Sequence, residues 1–439
     1  MSTHLTDKNK LGLFTSTSLV IGNMIGAGIF LMPAALAAFG AISLWGWFFS
    51  TIGAILLAKI FSSISKLVPA IDGGPYAYTK IAFGNFIGFL VAWGYWISIW
   101  CTNAAITVSF ISAMSTFFPI LATNPIVAVV AGLATIWLLT WINTLGIITS
   151  GKLQLLTTIL KITPLLLIAF IGIFYIDVHN FSPFNATKTN NWQALTATVT
   201  YTFFAFLGLE CATIPASNVA NAQKTIPKAT MIGTIITASI YMVSSISIMG
   251  LIPLHILQHS VTPFADAGTI IWGKNATYFI SAGVAIAAFG ALNGWILIQG
   301  QIPAAIAIDK LFPSIFAKKN SKGVPAIGII ISSILVSILM CMNYTKGLVE
   351  QFKFLVLLST LTALVPYLFC TAAYLIIKLN SQQIFTKQNW AKSIAIAFLA
   401  FIFSIWIVIG TGMETVYWGF ILLLLGIPFY VFILWKNKV

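Results

Sequence analysis

The chain of 439 residues contains no arginine, only eight acidic residues and four cysteines. Each shortage narrows what it can be. With 7% of its residues charged, against about a quarter in ordinary soluble domains, the chain lacks the polar surface that a water-soluble fold of this length requires. Cys101, Cys211, Cys341 and Cys370 stand singly in apolar segments, so neither a disulfide framework nor a zinc framework is expected. His4, His179, His255 and His259 fall in the tail and in polar connections. His255 and His259 have the spacing of two ligands on one helix face, but no acid lies between them and no third ligand follows, so they read as solvated loop residues. No His/Asp or Glu/His cluster, full metal-ligand set or phosphate loop appears, which argues against a membrane-embedded enzyme and implies no cofactor and no metal.

What is abundant is hydrocarbon: apolar residues make up 59% of the chain and its mean hydropathy is +1.00. A bilayer-spanning helix needs about 20 largely uncharged residues. Such stretches recur near 12–37, 41–60, 83–117, 125–146, 153–176, 193–218, 230–253, 276–308, 324–343, 350–377, 393–412 and 415–435. The expected fold class is therefore an all-α integral membrane protein of about twelve transmembrane helices, with the lipid bilayer as its main solvent. The first span follows a short polar tail (1–11), is too long for a signal h-region and lacks a small-residue cleavage site, so it is expected to be retained.

The basic residues, all 22 of them lysine, form no single patch, which argues against a nucleic-acid partner. They test topology instead. With twelve spans both termini share one side. Lys188, Lys274, Lys346 and Lys353 fall on the other side and Lys161 within a span, leaving 17 of the 22 on the side of the termini. The positive-inside rule then makes both termini cytoplasmic.

The spans are not equivalent. The first is interrupted by Gly22-Asn23-Met24-Ile25-Gly26-Ala27-Gly28 and the sixth by Phe206-Leu207-Gly208-Leu209-Glu210, five spans later. Three glycines within seven residues invite an unwound segment whose backbone groups must find a ligand, a neighbour or water. Paired broken helices in corresponding positions point to a transport site at the midplane of an inverted repeat. Close packing is the alternative, because Gly22 and Gly26 also form a Gly-x-x-x-Gly pair.

Ionisable groups inside a membrane are costly and therefore informative. Of the eight acids only Glu210 lies deep, directly after the second break. It is either a titrating group or a buried structural acid. Lys161 lies about nine residues into span five, ~13 Å from the helix start. Desolvation there lowers a lysine's proton affinity and suits reversible protonation, while snorkelling towards the interface is the competing account. Tyr95, Asn103, Phe204, Trp295, Ser359 and Tyr367 supply aromatic faces and polar groups within the spans. Aromatic faces can hold a cation without a buried acid, yet each residue alone also fits simple packing. An ion channel would show a filter motif repeated by symmetry, and none is visible.

The run Gly22-Asn23-Met24-Ile25-Gly26-Ala27-Gly28-Ile29-Phe30 followed by Pro33-Ala34, the loop Gly73-Gly74-Pro75-Tyr76-Ala77-Tyr78, the stretch Phe206–Glu210, the loop Ile226-Pro227-Lys228-Ala229 and the run Leu364-Val365-Pro366-Tyr367 together resemble the amino acid-polyamine-organocation (APC) superfamily. The likeness runs from about residue 11 to 435 and is greatest to the superfamily's bacterial arginine/agmatine antiporters. It implies two inverted five-helix repeats, 12–176 and 193–377, with helices 1 and 6 broken, followed by two further helices over 393–435. It implies a substrate carboxylate at the unwound backbone near Asn23, Gly26, Ala27 and Gly28, facing the positive end of a half-helix. The substrate side chain is then expected near Asn103, Leu207, Trp295 and Ser359, with Phe204 as an aromatic gate, Tyr95 and Tyr367 as gate elements, and Glu210 as a proton-sensitive acid.

Three departures bear on the substrate and the mechanism. Ala27 stands where those antiporters carry a carboxylate-binding serine, a loss of one hydrogen bond of ~1–2 kcal/mol. Phe204 replaces a tryptophan and is a weaker partner for a cation. Lys161 falls where proton-coupled members of the superfamily carry a lysine in place of a sodium ion. The expectation is a secondary transporter in the cell (inner) membrane that exchanges a cationic amino acid for its decarboxylated amine. Proton-coupled uptake through Lys161, of a neutral or broad range of amino acids, is the alternative. The partners implied are a small-molecule amino acid or amine, protons and lipid, and a homodimer is compatible with the reading.

Overall fold

A computed structural model describes residues 10–26, 28–69, 71–146, 165–342, 345–381 and 387–438. Ala27 and Lys161 lie outside the described residues. In chain order the helices are α1 (Leu13–Met24), α2 (Gly28–Ala37), α3 (Ile42–Leu67), α4 (Pro75–Phe83), α5 (Asn85–Met114), α6 (Ile120–Thr123) and α7 (Pro125–Thr144). After them come α8 (Leu165–Tyr175), then α9 (Asn191–Phe204), α10 (Ala222–Leu251), α11 (Leu254–Leu257), α12 (Pro263–Trp272) and α13 (Lys274–Ile308). The chain ends in α14 (Ala326–Met342), α15 (Leu348–Asn380), α16 (Lys387–Gly410), α17 (Met413–Leu424) and α18 (Gly426–Lys438). Among the described residues there is no strand, only an isolated bridge between Leu11 and Val219.

Nine helical runs among the described residues are long and apolar enough to cross a membrane, counting α1 with α2 and α17 with α18 as one each. The expected spans near 193–218 and 324–343 are shorter as helices: α9 has 14 residues and α14 has 17. Of the span expected near 153–176, only the part from residue 165 is described.

Burial separates two layers. The most hydropathic window of Leu13–Ala37 is 88% buried, that of α5 83%, and those of α13 and α15 both 72%. By contrast the windows in Asn389–Gly410 and Met413–Lys436 are 33% and 17% buried. A helix apolar on all sides is stable in either place; α5, α13 and α15, together with the less buried α10, pack against the interrupted helix. Local sequence explains several helix starts. Asn124 Oδ1 accepts from the backbone N–H of Ile126 (3.1 Å) and Val127 (3.2 Å), with Pro125 at the first helical position. Asn190 Oδ1 accepts from Gln193 N (2.9 Å) at the start of α9. Both are ordinary caps for otherwise unbonded N–H groups.

Two segments expected as loops are helical. Ile226-Pro227-Lys228-Ala229 lies inside α10, which starts at Ala222, eight residues before the apolar run suggested. Pro227 is tolerated because the backbone bond it forfeits would fall on Gln223, an exposed residue where water can substitute. Pro75 in the Gly-Gly-Pro-Tyr run opens α4 instead of a loop, since its fixed φ suits the first helical position.

Close approaches between helices rely on glycine. A Cβ built on Gly53 of α3 would lie 1.9 Å from the ring of Phe403 in α16, and one on Gly46 would lie 2.8 Å from Thr198 of α9. Helix association in lipid is driven by such packing, not by water exclusion. Gly53→Ala is therefore expected to lower the thermal unfolding midpoint in detergent, with an overpacking cost of about 1–3 kcal/mol. Gly347→Ala, where nothing lies within 4 Å, should leave the midpoint unchanged.

Candidate functional site

Both interruptions seen in the sequence are present, and they meet. The first helix stops at Met24 and resumes at Gly28. The second stops at Phe204, turns through 205–210 and continues only as two short 3-10 segments, Cys211–Thr213 and Ala216–Asn218, so the second half of that span is not an α-helix. Gly208 has φ +102°, a conformation that penalises a residue with a side chain. A Cβ on Gly208 would lie 3.2 Å from Asn23 Cβ and 3.3 Å from the Trp295 ring, and one on Gly28 would lie 2.9 Å from the Phe204 ring. Each break thus touches the other.

Carbonyls released at the first break are taken up by side chains. Trp295 Nε1 donates to Asn23 O at 3.2 Å. The hydroxyl of Tyr241 donates to Met24 O, which also accepts from Gly26 N at 2.7 Å. Gly26 itself faces α13, where a Cβ would lie 3.3 Å from that of Ala291. Asn23 Nδ2 is buried beside the Cys211 thiol, a weak acceptor, and has no oxygen partner among the described residues.

Beyond the second break, Glu210 is fully buried and held from both sides. Tyr95 of α5 donates to Oε1 at 2.5 Å and Tyr367 of α15 donates to Oε2 at 2.6 Å. Two phenols on one carboxyl group tie α5, α15 and the turn together, so the expected gate residues and the expected acid form one unit.

The remaining expected residues divide into three groups. Phe204 covers Gly28 and meets Phe352 edge-on, with ring centroids 6.2 Å apart; Leu207 is buried in the turn beside it. Asn103 is buried and donates through Nδ2 to Gln299 Oε1 at 2.7 Å, while its Oδ1 has no partner among the described residues. Ser359 is turned to α5, with its hydroxyl 2.6 Å from that of Thr102 and 3.1 Å from Ser98 O, so it holds α15 to α5 instead of facing the breaks.

Sequence reading missed Gln299, Tyr241 and Phe352. Gln299 carried a usable signal: a neutral amide one turn from Trp295 in an apolar span must find partners or cost several kcal/mol, roughly. Tyr241 and Phe352 carried none, because they do not differ from the many packing aromatics.

Both approaches to the breaks are packed. On the side where α1 begins, Asp72 accepts from the backbone N–H (2.8 Å) and hydroxyl (2.6 Å) of Ser217, and Leu11 N donates to Asn218 O at 2.8 Å. Tyr76 of α4 donates to Asp309 Oδ2 at 2.5 Å, and Lys80 Nζ pairs with the same oxygen at 2.7 Å. Burial first, and then the bond to Asp309, hold the Tyr76 phenol above its ordinary pKa, so it stays a neutral donor. On the opposite side, Phe30 meets Phe264 edge-on with centroids 5.2 Å apart.

The Glu210 unit can be tested by a double-mutant cycle. Tyr95→Phe and Tyr367→Phe should each cost about 1–3 kcal/mol, and their sum should differ from the double variant because they share one carboxyl group. Thermal unfolding of the three variants in detergent measures this.

The chain has relatives of known kind. Residues 11–433 match the amino acid permease family. The cadaverine/lysine antiporter of Escherichia coli strain K12 is 32% identical over 374 residues, 83% of each chain. The arginine/ornithine antiporter of Pseudomonas aeruginosa is 31% identical over 432 residues, 94% of this chain and 88% of that one. A putrescine transporter of Haemophilus influenzae is 30% identical over 432 residues, 98% of each chain. Apolar helices from end to end, two touching helix breaks and a family match over nearly the whole length lead to one conclusion: this chain belongs to the amino acid permease family of the APC superfamily and is a multi-pass membrane transporter, not an enzyme.

Proposed function

We propose that this transporter exchanges a cationic amino acid for a decarboxylated amine by alternating access. The observation that carries the reading is the contact between the two helix breaks, with Trp295 laid across Asn23 and the Gly208 turn. Interrupted backbone deep in a bilayer is tolerated where it is buried in protein or lines a cavity, and half-helix ends are suited to anionic and cationic groups of one small solute. In this reading the spans number twelve, arranged as inverted repeats over 12–176 and 193–377 with two further helices over 393–435. Both termini are cytoplasmic and the membrane is the cell (inner) membrane, in keeping with the lysine asymmetry.

The α-carboxylate would sit at the break formed by Asn23, Gly26, Ala27 and Gly28, where Asn23 Nδ2 has no oxygen partner among the described residues and only the weak acceptor Cys211 beside it. The side chain would extend towards Trp295 and Asn103, with Phe204 and Leu207 closing over it. A cation is favoured by the ring of Trp295 and by the free oxygen of Asn103. Ser359 supports α5 in this scheme and does not contact the solute. Glu210 would govern closure through Tyr95 and Tyr367, in response to protons. Exchange is preferred over proton-coupled uptake because relatives of this chain carry the word antiporter in their names.

Purified protein in liposomes loaded with lysine, ornithine or cadaverine is expected to accumulate labelled lysine, and empty liposomes are not. Trp295→Leu should raise the KM for lysine at least tenfold, roughly the loss of one desolvated cation–ring contact. Uptake into empty liposomes driven by a pH gradient alone would overturn exchange in favour of coupling, and competition by neutral amino acids only would overturn the cationic substrate.

A further inference from the structure

Ala291, Trp295 and Gln299 follow one another at four-residue intervals and so lie on one face of α13. The first stands against Gly26, the second bonds Asn23 O and the third bonds Asn103. Gln299 is wholly buried, and its own amide is fully committed. Its Nε2 donates to the backbone oxygen of Ile329 at 3.1 Å and to the hydroxyl of Ser333 at 2.8 Å. The Ser333 hydroxyl is in turn 2.6 Å from that of Thr140 on α7. A backbone carbonyl can only accept, so the nitrogen of Gln299 must face Ile329 and its oxygen must face Asn103. That oxygen can only accept as well. Asn103 is therefore obliged to present its nitrogen to Gln299 and to leave Oδ1 as the atom without a partner.

We infer that Gln299 is a positioning residue that fixes the amide polarity of Asn103 and thereby makes the site selective for a substrate side chain ending in a hydrogen-bond donor, an ammonium or guanidinium. A donor satisfies the buried carbonyl; a side chain that ends in an acceptor alone, such as the S=O group of methionine sulfoxide, meets oxygen with oxygen and leaves both unpaired. Selectivity then resides in a residue one layer behind the substrate. This inference rests on Asn103 belonging to the substrate site, and the experiment separates the two ideas.

The test measures kcat and KM for lysine and for methionine sulfoxide, whose S=O group can only accept, with the full-length protein in liposomes. Gln299→Met keeps the volume and removes the acceptor, so Asn103 can turn either way. The ratio of kcat/KM for lysine to that for methionine sulfoxide is expected to fall about tenfold, through KM and not kcat. Gln299→Glu keeps an oxygen towards Asn103 and should restore most of the ratio. A packing role predicts the reverse order, with the apolar isostere tolerated and the acid harmful, and that result overturns the inference. So does an unchanged ratio in Gln299→Met when Asn103→Ala alters both KM values. An Asn103→Ala variant with wild-type KM for both substrates overturns the site reading itself, and the inference with it. Should Gln299→Met fail to reach the membrane, Ser333→Ala loosens the same amide: a ratio lowered about threefold supports the inference, and an unchanged ratio overturns it.

Discussion

A backbone that leaves the helical path in hydrocarbon must find new partners for its N–H and C=O groups, because no water is there to take them. That constraint organises the interior of this protein. The gap between Met24 and Gly28 and the turn after Phe204 are tolerable only side by side, with Trp295 and Tyr241 supplying donors to Asn23 O and Met24 O. The helices α5, α10, α13 and α15 pack around them. The spans at the C-terminal end are much less buried.

The same economy holds for side chains. Glu210 is matched by two tyrosines, Asn103 by Gln299, and Gln299 by Ile329 and Ser333. Each pairing removes a donor or acceptor that would otherwise be stranded at a cost of about 1–3 kcal/mol. Several buried polar atoms keep no hydrogen-bond partner among the described residues, Asn103 Oδ1 and, at the first break, Asn23 Nδ2 among them.

Much of this is legible in the sequence, for physical reasons. Glycine density marked Gly22 to Gly28 as a break, and the solitary deep acid marked Glu210. The spans were readable because hydrocarbon admits few alternatives to a helix. The start of α10 was misplaced because Lys224 and Lys228 look like loop residues, whereas a helix can emerge into the interface with its lysines exposed. The family resemblance puts Ser359 near the substrate side chain, while its bonds to Thr102 and Ser98 on α5 are not legible from spacing along α15. The role of Gln299 was hidden since it depends on α14, a helix remote in sequence, to orient the amide.

The contacts that shut the face where α1 begins are of a different strength from those within. Lys80 and Asp309 are about a third exposed, 30% and 36%, and an ion pair so placed is worth at most about 1 kcal/mol. The Leu11 contact with Asn218 and the Asp72 contact with Ser217 add only a few more bonds at the edge. A millimolar ligand binds with about 4 kcal/mol, so the affinity of one small solute is of the same order as the whole closure. A seal this light can be renewed with every turnover, and its hold weakens with ionic strength while the buried framework stays indifferent to salt.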